Sequence, residues 1–314
     1  MNILISGGSG FIGQALSRYL QGDLNTSNHS STQNTSANIT WLTRDTNQPH
    51  PDSVSLMSYE QLKTTEATFD VIINLAGAGI ADKRWSDERK QLLMQSRLKP
   101  TQALLDYIER IANKPKLLLS GSAVGWYGAQ GDKVLDETSG FVDDFAHQIC
   151  ASWEEQASLT TQFGVPVAIV RTGIVIHPKG GMIAKLLTPF KMGVGGQLGS
   201  GEQIMSWISL QDWVRAAILI IEEQLNQTPK AVENVRIYNF TSPTPVSNKQ
   251  FTKQLGDWLN RPTLMTLPEW LLKLMFGEMA TLLIDGQKVL PTTLLDLGFE
   301  FKHETIQQAL QQQS

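Results

Sequence analysis

Short apolar runs separated by stretches of helical spacing fill the N-terminal half of the chain. The runs are typical of strands buried on both faces of a parallel sheet, and they cover residues 2–6, 39–44, 70–75, 116–120 and 165–170. Helices are predicted over 11–20 and around 98–113 and 144–163. In the first of them Ile12, Leu16 and Leu20 share one face. Strands that alternate with helices predict the α/β class, here a Rossmann fold with a doubly wound parallel sheet.

The pattern changes after Arg171. A glycine-rich stretch from Gly180 to Gly201 is typical of loop and short helix. A helix is expected over 212–225, a strand over 235–240, and further helices over 247–260, 268–275, 278–290 and 304–312. We therefore assign residues 1–178 and 203–243 to the Rossmann domain, and residues 179–202 and 244–314 to a smaller, mostly helical C-terminal lobe.

Composition narrows the classes of function. The formal net charge is −4 without a long basic run, so no nucleic-acid partner is expected. The five histidines lie far apart, so no metal site is predicted, and the single cysteine fits a reducing, cytoplasmic location. No apolar run reaches about 18 residues, so no membrane partner is expected. The segment 25–38 is mostly Asn, Ser and Thr and is expected to be a mobile surface insertion.

A glycine motif follows the first predicted strand and opens the first predicted helix. It reads GGSGFIG over residues 7–13. Glycines permit positive φ and let the backbone approach a pyrophosphate, while the helix N-terminus supplies N–H groups and the positive end of a dipole. We predict a dinucleotide-binding loop formed by Gly7, Gly10, Phe11, Ile12 and Gly13. The alternative is a glycine-rich turn that binds no ligand.

The end of the second predicted strand indicates which dinucleotide binds. NAD enzymes usually place a carboxylate there for the ribose 2′-hydroxyl. This chain has Thr43, Arg44 and Asp45 in succession. Arg44 can pair with a 2′-phosphate and Thr43 can hydrogen-bond it, which favours NADP(H) over NAD(H). The alternative is that Asp45 binds the ribose and Arg44 is merely solvated.

Eight segments together resemble one protein family. They are GGSGFIG at 7–13, NLAG at 74–77, IADKRW at 80–85, SRLKPT at 96–101, SGSAVGWYG at 120–128, RTGIVI at 171–176, GSGEQIMSWISLQD at 199–212 and GEMA at 277–280. The set resembles the atypical short-chain dehydrogenase/reductases related to nucleotide-sugar epimerases. Members are often labelled epimerase or cell-division-inhibitor-like and carry a C-terminal domain of unknown function. The resemblance implies an extended Rossmann fold that binds NADP(H).

The resemblance also implies positions for the rest of the cofactor site. The implied residues are Leu75, Ala76, Gly77, Arg84, Ser120, Gly121, Thr172, Gly173 and Val175. The first three would lie beside the adenine ribose and pyrophosphate, and the pair at 120–121 would lie beside the nicotinamide ribose. Residues 172–175 would approach the nicotinamide. Arg84 would reach the cofactor phosphates, with a solvated surface arginine as the alternative.

Reductases of this kind use a Ser, a Tyr and a Lys, of which the Tyr is the general acid/base and the Lys lowers its pKa and holds the ribose. Ser122 matches the serine. When the following helix is aligned on Glu154, the tyrosine and lysine positions are Ala146 and Cys150. The chain therefore departs from the family pattern at the group that would move the proton.

Three residues are candidates to replace the missing pair. Tyr127 carries a phenol near the right strand end, although it could instead pack over the cofactor. Ser122 could polarise a carbonyl with water as the proton source. His147 follows the tyrosine position and so points about 100° away around the helix axis. We take Ser122 and Tyr127 as the catalytic candidates, and Cys150 as a small core residue.

The substrate side of the predicted cleft is less defined. Trp85, Met205 and Trp207 fall in segments that line the cleft in related folds, and the stretch 193–201 could form a lid. We expect an NADP(H)-dependent oxidoreductase or epimerase-like enzyme that acts on an unknown small molecule, as a monomer or homodimer. The alternatives are an NADP(H)-binding redox sensor without turnover, and a protein whose C-terminal lobe docks on division or membrane machinery.

Overall fold

The computed structural model describes residues 1–22, 37–226 and 234–312. The strands are β1 (Asn2–Ser6), β2 (Asn38–Thr43), β3 (Val54–Ser58), β4 (Val71–Asn74), β5 (Leu117–Ala123), β6 (Val134–Leu135), β7 (Val167–Thr172), β8 (Ile174–His177), β9 (Gly196–Leu198), β10 (Ile204–Met205), β11 (Trp207–Ser209), β12 (Val235–Phe240), β13 (Val246–Ser247), β14 (Met265–Leu267) and β15 (Lys288–Val289). The predicted insertion at 25–38 lies, up to residue 36, outside the described residues.

The helices follow the strands in an alternating order through most of the chain. They are α1 (Phe11–Leu20), α2 (Tyr59–Thr64), α3 (Asp87–Arg110), α4 (Phe145–Ser158), α5 (Gly181–Lys191), α6 (Leu210–Asn226), α7 (Asn248–Leu259), α8 (Glu269–Phe276), α9 (Thr281–Ile284), α10 (Thr292–Asp296) and α11 (Ile306–Gln311). Short 3-10 helices occupy Val124–Tyr127, Leu159–Phe163 and Gly277–Ala280.

Seven parallel strands form the central sheet, in the order β12-β7-β5-β4-β1-β2-β3. From β1 the chain first adds strands on one side and then crosses to the other side at β4. In open sheets of this kind, ligands bind outside the carboxyl ends of the strands where the order reverses. The predicted Rossmann fold is confirmed, and its topology points to the edge between β1 and β4.

Both faces of the sheet are covered by helices. In β1, Ile3 and Ile5 pack on one face with Leu16 of α1, whereas Leu4 packs on the other face with Ile108 of α3. Helix α6 joins the first face, and α2 and α4 join the second. Burial on both sides is why the strands read as continuous apolar runs instead of alternating patterns.

The structure corrects the predicted helix over 278–290. The segment instead forms a 3-10 helix, the four-residue α9 and the strand β15, which pairs with β6. Gly286 separates α9 from β15 and packs so closely that an added Cβ would lie 2.5 Å from the backbone nitrogen of Ile204. The glycine-rich stretch contains the eleven-residue helix α5, longer than expected. Strand β3, which no pattern predicted, forms one edge of the sheet.

The C-terminal segment is mostly helical, as predicted, and packs on the rest of the chain. Strand β14 pairs with β9, and α11 packs on α7. The buried carboxylate of Asp212, in α6, accepts hydrogen bonds from the backbone N–H groups of Lys302 and His303, each at 2.9 Å. The proposed boundaries between the two lobes stay a prediction. Among the described residues, no helix is long and apolar enough to cross a membrane.

Candidate cofactor-binding site

Three glycines of the 7–13 loop are fixed by close packing. Gly7 has φ +83°, and a Cβ on it would lie 2.7 Å from the carbonyl of Leu75. A Cβ on Gly8 would enter the indole of Trp41, and one on Gly13 would lie 2.5 Å from the oxygen of Gly7. These contacts draw the loop after β1 against the end of β4, at the point where the strand order reverses.

Gly10 is different because its surroundings are open. Among the described residues, a Cβ built on it would meet only the oxygen of Gly7, at 3.1 Å. Gly10 is the N-cap of α1 but offers no side chain to bond the first-turn N–H groups. These belong to Phe11, Ile12 and Gly13, and they form the positive end of the helix dipole. The loop therefore has the shape and the donors for a pyrophosphate.

The turn after β2 separates the roles of its three candidate residues. Thr43 Oγ1 accepts hydrogen bonds from the N–H of Asp45 at 3.1 Å and the Nε2 of Gln48 at 3.0 Å. Asp45 Oδ1 accepts from the N–H of Asn47 at 2.9 Å. Thr43 and Asp45 thus build the turn, while Arg44 is exposed.

Tyr59 lies beside this turn, at the start of α2. Its hydroxyl is 3.0 Å from Ser6 Oγ at the end of β1. Burial raises the pKa of Tyr59, against the opposing effects of the Ser6 hydrogen bond and the Arg44 charge. The pairing of Thr43 with Ser58 in β3 places Tyr59 next to this turn.

The residues after β4 line the next part of the edge. Leu75 donates its N–H to Ser6 at 2.8 Å, and Ala76 follows it. A Cβ on Gly77 would lie 3.1 Å from the guanidinium carbon of Arg97, a residue of α3. In this way the structure brings Leu75, Ala76 and Gly77 beside the glycine loop.

Across the same edge, Ser120 and Gly121 sit near the end of β5. Ser120 is fully buried and pairs in register with Asn74 of β4. A Cβ on Gly121 would lie 2.8 Å from the ring of Trp153, in α4. The end of β5 is thus closed by an aromatic side chain, and only a glycine fits beside it.

Ser122 belongs to a buried charged network. It donates to Glu154 Oε1 at 2.5 Å, and Arg171 donates to both oxygens of the same carboxylate, at 3.0 and 2.8 Å. Arg171 is 1% exposed, and its guanidinium carbon lies 3.4 Å from the ring centroid of Trp126. Burial alone would lower the pKa of Arg171, but its pairing with Glu154 raises it. Since the Ser122 hydroxyl proton points to Glu154, its oxygen can only accept from a ligand.

Tyr127 is fully buried in the structure. Its hydroxyl donates to Asn239 Oδ1 at 2.7 Å, and burial raises the pKa of Tyr127 to about 12. His147 has its ring stacked on Phe141 at 3.8 Å, with Nδ1 2.5 Å from the carbonyl of Trp126. Neither ring reaches a ligand without rearrangement, and the catalytic role of Tyr127 stays a prediction.

Helix α4 carries Ala146 and Cys150, the residues that the sequence alignment predicts at the tyrosine and lysine positions. Ala146 faces Gly125, where an added Cβ would lie 3.2 Å from the alanine methyl. Cys150 is buried, and burial raises the pKa of its thiol to about 11, with the Glu154 charge acting in the same direction and the Arg97 charge against it. The thiol is therefore neutral near pH 7 and does not replace a lysine cation.

The residues after β7 are held by backbone and indole contacts. Thr172 Oγ1 accepts from the indole N–H of Trp213 at 3.1 Å. A Cβ on Gly173 would lie 2.6 Å from the oxygen of Ser206. Val175, in β8, is half-buried and pairs in register with Ile208 of β11. Thr172 ends β7, the strand next to β5, and Gly173 and Val175 follow it on the same edge.

Arg84 and Trp85 pack against the C-terminal segment, and their roles in cofactor and substrate binding stay predictions. The guanidinium of Arg84 packs at Gly277, where an added Cβ would lie 2.8 Å from its Nε. Trp85 packs edge-on to Phe145 at 4.9 Å, in a cluster that includes Met279.

The other two predicted substrate residues lie in the packing of β10, β11 and the C-terminal segment. Met205 Sδ lies 3.6 Å from the amide nitrogen of Asn248. Trp207 is 1% exposed and donates its N–H to Thr244, so it has no surface for a substrate in this structure. Within the described ranges, no three His, Cys, Asp or Glu side chains come together as a metal site.

Sequence reasoning missed Arg97 and the partners of Ser122. In the sequence analysis Arg97 appeared only within the SRLKPT motif, and Arg171 only within the RTGIVI motif, with no role assigned to either. Glu154 served as an alignment marker. The register of β5 against β7, which pairs Ser122 with Arg171, brings that network together.

Comparison with known proteins agrees with this geometry. The sequence model of the NAD dependent epimerase/dehydratase family matches residues 3–239, and that of a domain of unknown function, DUF1731, matches residues 267–313. An epimerase family protein of Mycobacterium bovis is 40% identical over 242 residues, which is 77% of each chain. The chloroplastic SDR39U1 homolog of Arabidopsis thaliana is 35% identical over 319 residues, covering 99% of this chain and 86% of that protein.

A solved structure extends the likeness to the three-dimensional level. The crystal structure of the human epimerase family protein SDR39U1 (isoform2) with NADPH is similar with a TM-score of 0.84 and 27% identity, over 99% of this chain and 98% of that one. The fold, the glycine loop and the family match agree. The chain belongs to the NAD dependent epimerase/dehydratase family, with a DUF1731 segment at its C-terminal end.

Proposed function

We propose that the protein binds NADP(H) along the carboxyl edge of the sheet. The observation that carries this proposal is the open backbone at Gly10, next to first-turn N–H groups that have no side-chain cap. A pyrophosphate there would accept hydrogen bonds from these groups and be stabilised by the helix dipole. The human relative crystallised with NADPH supports the same cofactor.

Arg44 supports NADP(H) over NAD(H). The competing assignment gives the ribose to Asp45, but that carboxylate already bonds the N–H of Asn47 and closes the turn. Arg44 is exposed and directly follows β2. A guanidinium in that position can form charge-assisted hydrogen bonds to a 2′-phosphate.

The reaction best suited to the site is hydride transfer on a small molecule. Bound NADP(H) would supply or accept the hydride. Ser122 would accept a hydrogen bond from a substrate hydroxyl, while Glu154 and Arg171 hold its side chain in place. A substrate that enters as an alcohol suits this acceptor, because its hydroxyl proton would pass to Ser122 as the serine proton moves to Glu154. A carbonyl substrate would require Ser122 to turn from Glu154 to donate, with water supplying the proton.

A second candidate function is NADP(H) sensing without turnover. It is favoured by a specific set of observations: Tyr127 is buried with its pKa raised to about 12, and α4 carries Ala146 and Cys150 where the family has its Tyr and Lys. A protein with this arrangement could bind the cofactor tightly and present its redox state to a partner. Cofactor binding is common to both candidates, and only turnover separates them.

The test is a set of turnover measurements at saturating cofactor. The protein is mixed with NADPH and a panel of aldehydes and ketones, and with NADP⁺ and a panel of alcohols, while the nicotinamide absorbance is followed. Hydride transfer that Ser122→Ala lowers at least about tenfold supports the enzyme. Tight NADPH binding without absorbance change on any panel would favour the sensor, and no NADPH binding would refute both.

A further inference from the structure

The missing lysine leaves the nicotinamide half of the proposed cofactor without an obvious cation. We propose that Arg97 of α3 and Trp153 of α4 form a binding site for the vicinal hydroxyls of the nicotinamide-side ribose. This inference rests on the proposed function, because it concerns the same cofactor. It assigns the ribose to a pair of side chains on two different helices.

The position of Arg97 is set by its own helix and by the backbone that follows β4. Its guanidinium carbon lies 3.1 Å from the place of a Cβ on Gly77, so it sits directly beside the backbone after β4. Nη1 donates to Leu93 at 2.9 Å and Nη2 to Ala78 at 3.2 Å. These carbonyl bonds fix the guanidinium while leaving further N–H donors, since arginine carries five. The residue is only partly buried, so a ligand oxygen can reach it.

Trp153 joins Arg97 to the end of β5. The guanidinium carbon of Arg97 lies 5.4 Å from the ring centroid of Trp153, within cation–π range. Ring atoms Cη2 and Cζ2 lie 2.8 and 3.3 Å from the place of a Cβ on Gly121. The two side chains therefore lie between Gly77, in the backbone after β4, and Gly121, near the end of β5.

The indole nitrogen of Trp153 is the second observation that points to a ligand. Trp153 is 7% exposed, and in the described part of the chain its N–H has no hydrogen-bond partner. A buried donor without an acceptor is destabilising. The nitrogen is on the same edge of the ring as Cζ2, which faces Gly121. A ribose oxygen bound at this edge would satisfy it.

Arg97 keeps its positive charge in this position, although burial acts against it. Burial lowers the pKa of Arg97, with the Arg89 charge acting in the same direction and Cys150 against it. An arginine nevertheless stays protonated at any ordinary pH. Cys150, in the lysine position, is a neutral thiol near pH 7, so Arg97 provides the positive charge on this side of the edge.

Three ligands that contain successively larger parts of NADPH test the ribose assignment. 2′-Phospho-ADP carries the pyrophosphate but lacks the second ribose, 2′-phospho-ADP-ribose adds that ribose, and NADPH adds the nicotinamide. Calorimetric titration of the full chain gives the dissociation constant of each. We expect Arg97→Met to leave the first ligand unchanged and to weaken the second and third at least about tenfold. Trp153→Phe, which keeps a ring but loses the N–H, is expected to weaken the same two about fivefold.

Arg110→Met is the matched control. Arg110 lies on the same helix, donates to the carbonyls of Leu62 and Thr65, and stacks 5.9 Å from the ring centroid of Tyr107. It is thirteen residues from Arg97, about 20 Å along the helix axis. This variant should bind all three ligands as the wild type does.

The outcomes separate this inference from the proposed function. If the wild type binds none of the three ligands, NADP(H) binding itself is wrong. If Arg97→Met weakens all three equally, or weakens only NADPH, or changes none, the ribose assignment is wrong although cofactor binding stands. Should Arg97→Met not fold, Arg97→Lys keeps the charge without the planar fork, and the same loss confined to the two larger ligands is expected from it and from Trp153→Phe.

Discussion

Gly10 and Gly13 look alike in the sequence, but alanine at Gly10 should weaken NADPH binding, whereas alanine at Gly13 should lower stability. The methyl of Gly13→Ala would lie 2.5 Å from the oxygen of Gly7 and 2.7 Å from both Cα and the oxygen of Gly8. All three are backbone atoms, which cannot swing away. Overpacking of this kind costs about 1–3 kcal/mol of unfolding free energy. Rigid neighbours favour the upper half of that range, so Tm should fall by about 4–10 °C.

The methyl of Gly10→Ala meets much less. Within the described residues, its only neighbour is the oxygen of Gly7 at 3.1 Å, and the backbone φ of −73° suits any residue. Losing glycine at the N-cap costs roughly 0.5–1 kcal/mol. The same methyl would occupy the space proposed for the pyrophosphate, so NADPH affinity should fall about tenfold to a hundredfold.

Calorimetry measures both effects on the same samples. Differential scanning gives Tm without ligand, and titration gives the NADPH dissociation constant. Gly10→Ala should be nearly as stable as the wild type but bind poorly, whereas Gly13→Ala should melt early. The reasoning fails if Gly10→Ala keeps wild-type affinity, or if the two variants lose the same stability.

Further predictions concern buried polar groups. Glu154→Ala leaves Arg171 buried without its carboxylate and should lower the unfolding free energy by about 3–5 kcal/mol in urea titration, whereas a change below about 1 kcal/mol would refute the pairing. Tyr127→Phe leaves Asn239 without its donor and should cost about 1–3 kcal/mol with NADPH affinity unchanged; lost affinity would place the phenol at the cofactor. Burial alone would raise the pKa of Asp212, but its hydrogen bonds hold it below the ordinary value. The stability that the Asp212 carboxylate contributes is therefore complete above its ordinary pKa and is lost as pH falls through the lowered pKa. Asp212→Asn should flatten the decrease of Tm at acid pH. An unchanged decrease would contradict this reasoning.

Much of the fold could be predicted because strands that are buried on both faces have apolar sequences. β1, β4 and β7 are covered on both faces, so they appear as apolar runs that need no partner to be recognised. β3, with the sequence VSLMS, is a short edge strand with one fully buried residue, and its pattern resembles a loop. The segment 278–290 has helical composition, but close packing of Gly286 against Ile204 and the pairing of β15 with β6 break it.

Some residues of the candidate site could likewise be proposed from the sequence, whereas others could not. The glycine loop and Arg44 could be proposed from the sequence because the roles predicted for them depend on residues that are neighbours in the chain. The network of Ser122, Glu154 and Arg171 could not, since it exists only once β5 and β7 are in register. The placement of Arg97 could not be predicted because it packs where Gly77, twenty positions earlier in the chain, has no side chain.

The central claim is that this edge of the sheet binds NADP(H) and reads its 2′-phosphate. Its most direct test is calorimetric titration of NADPH and NADH into the wild type and into Arg44→Glu. A charge-assisted hydrogen bond contributes about 1.5–3 kcal/mol, so the wild type should prefer NADPH at least about tenfold, and Arg44→Glu should lose that preference while binding NADH nearly unchanged. Equal affinity of the wild type for the two dinucleotides, or equal loss of both in Arg44→Glu, would contradict the account.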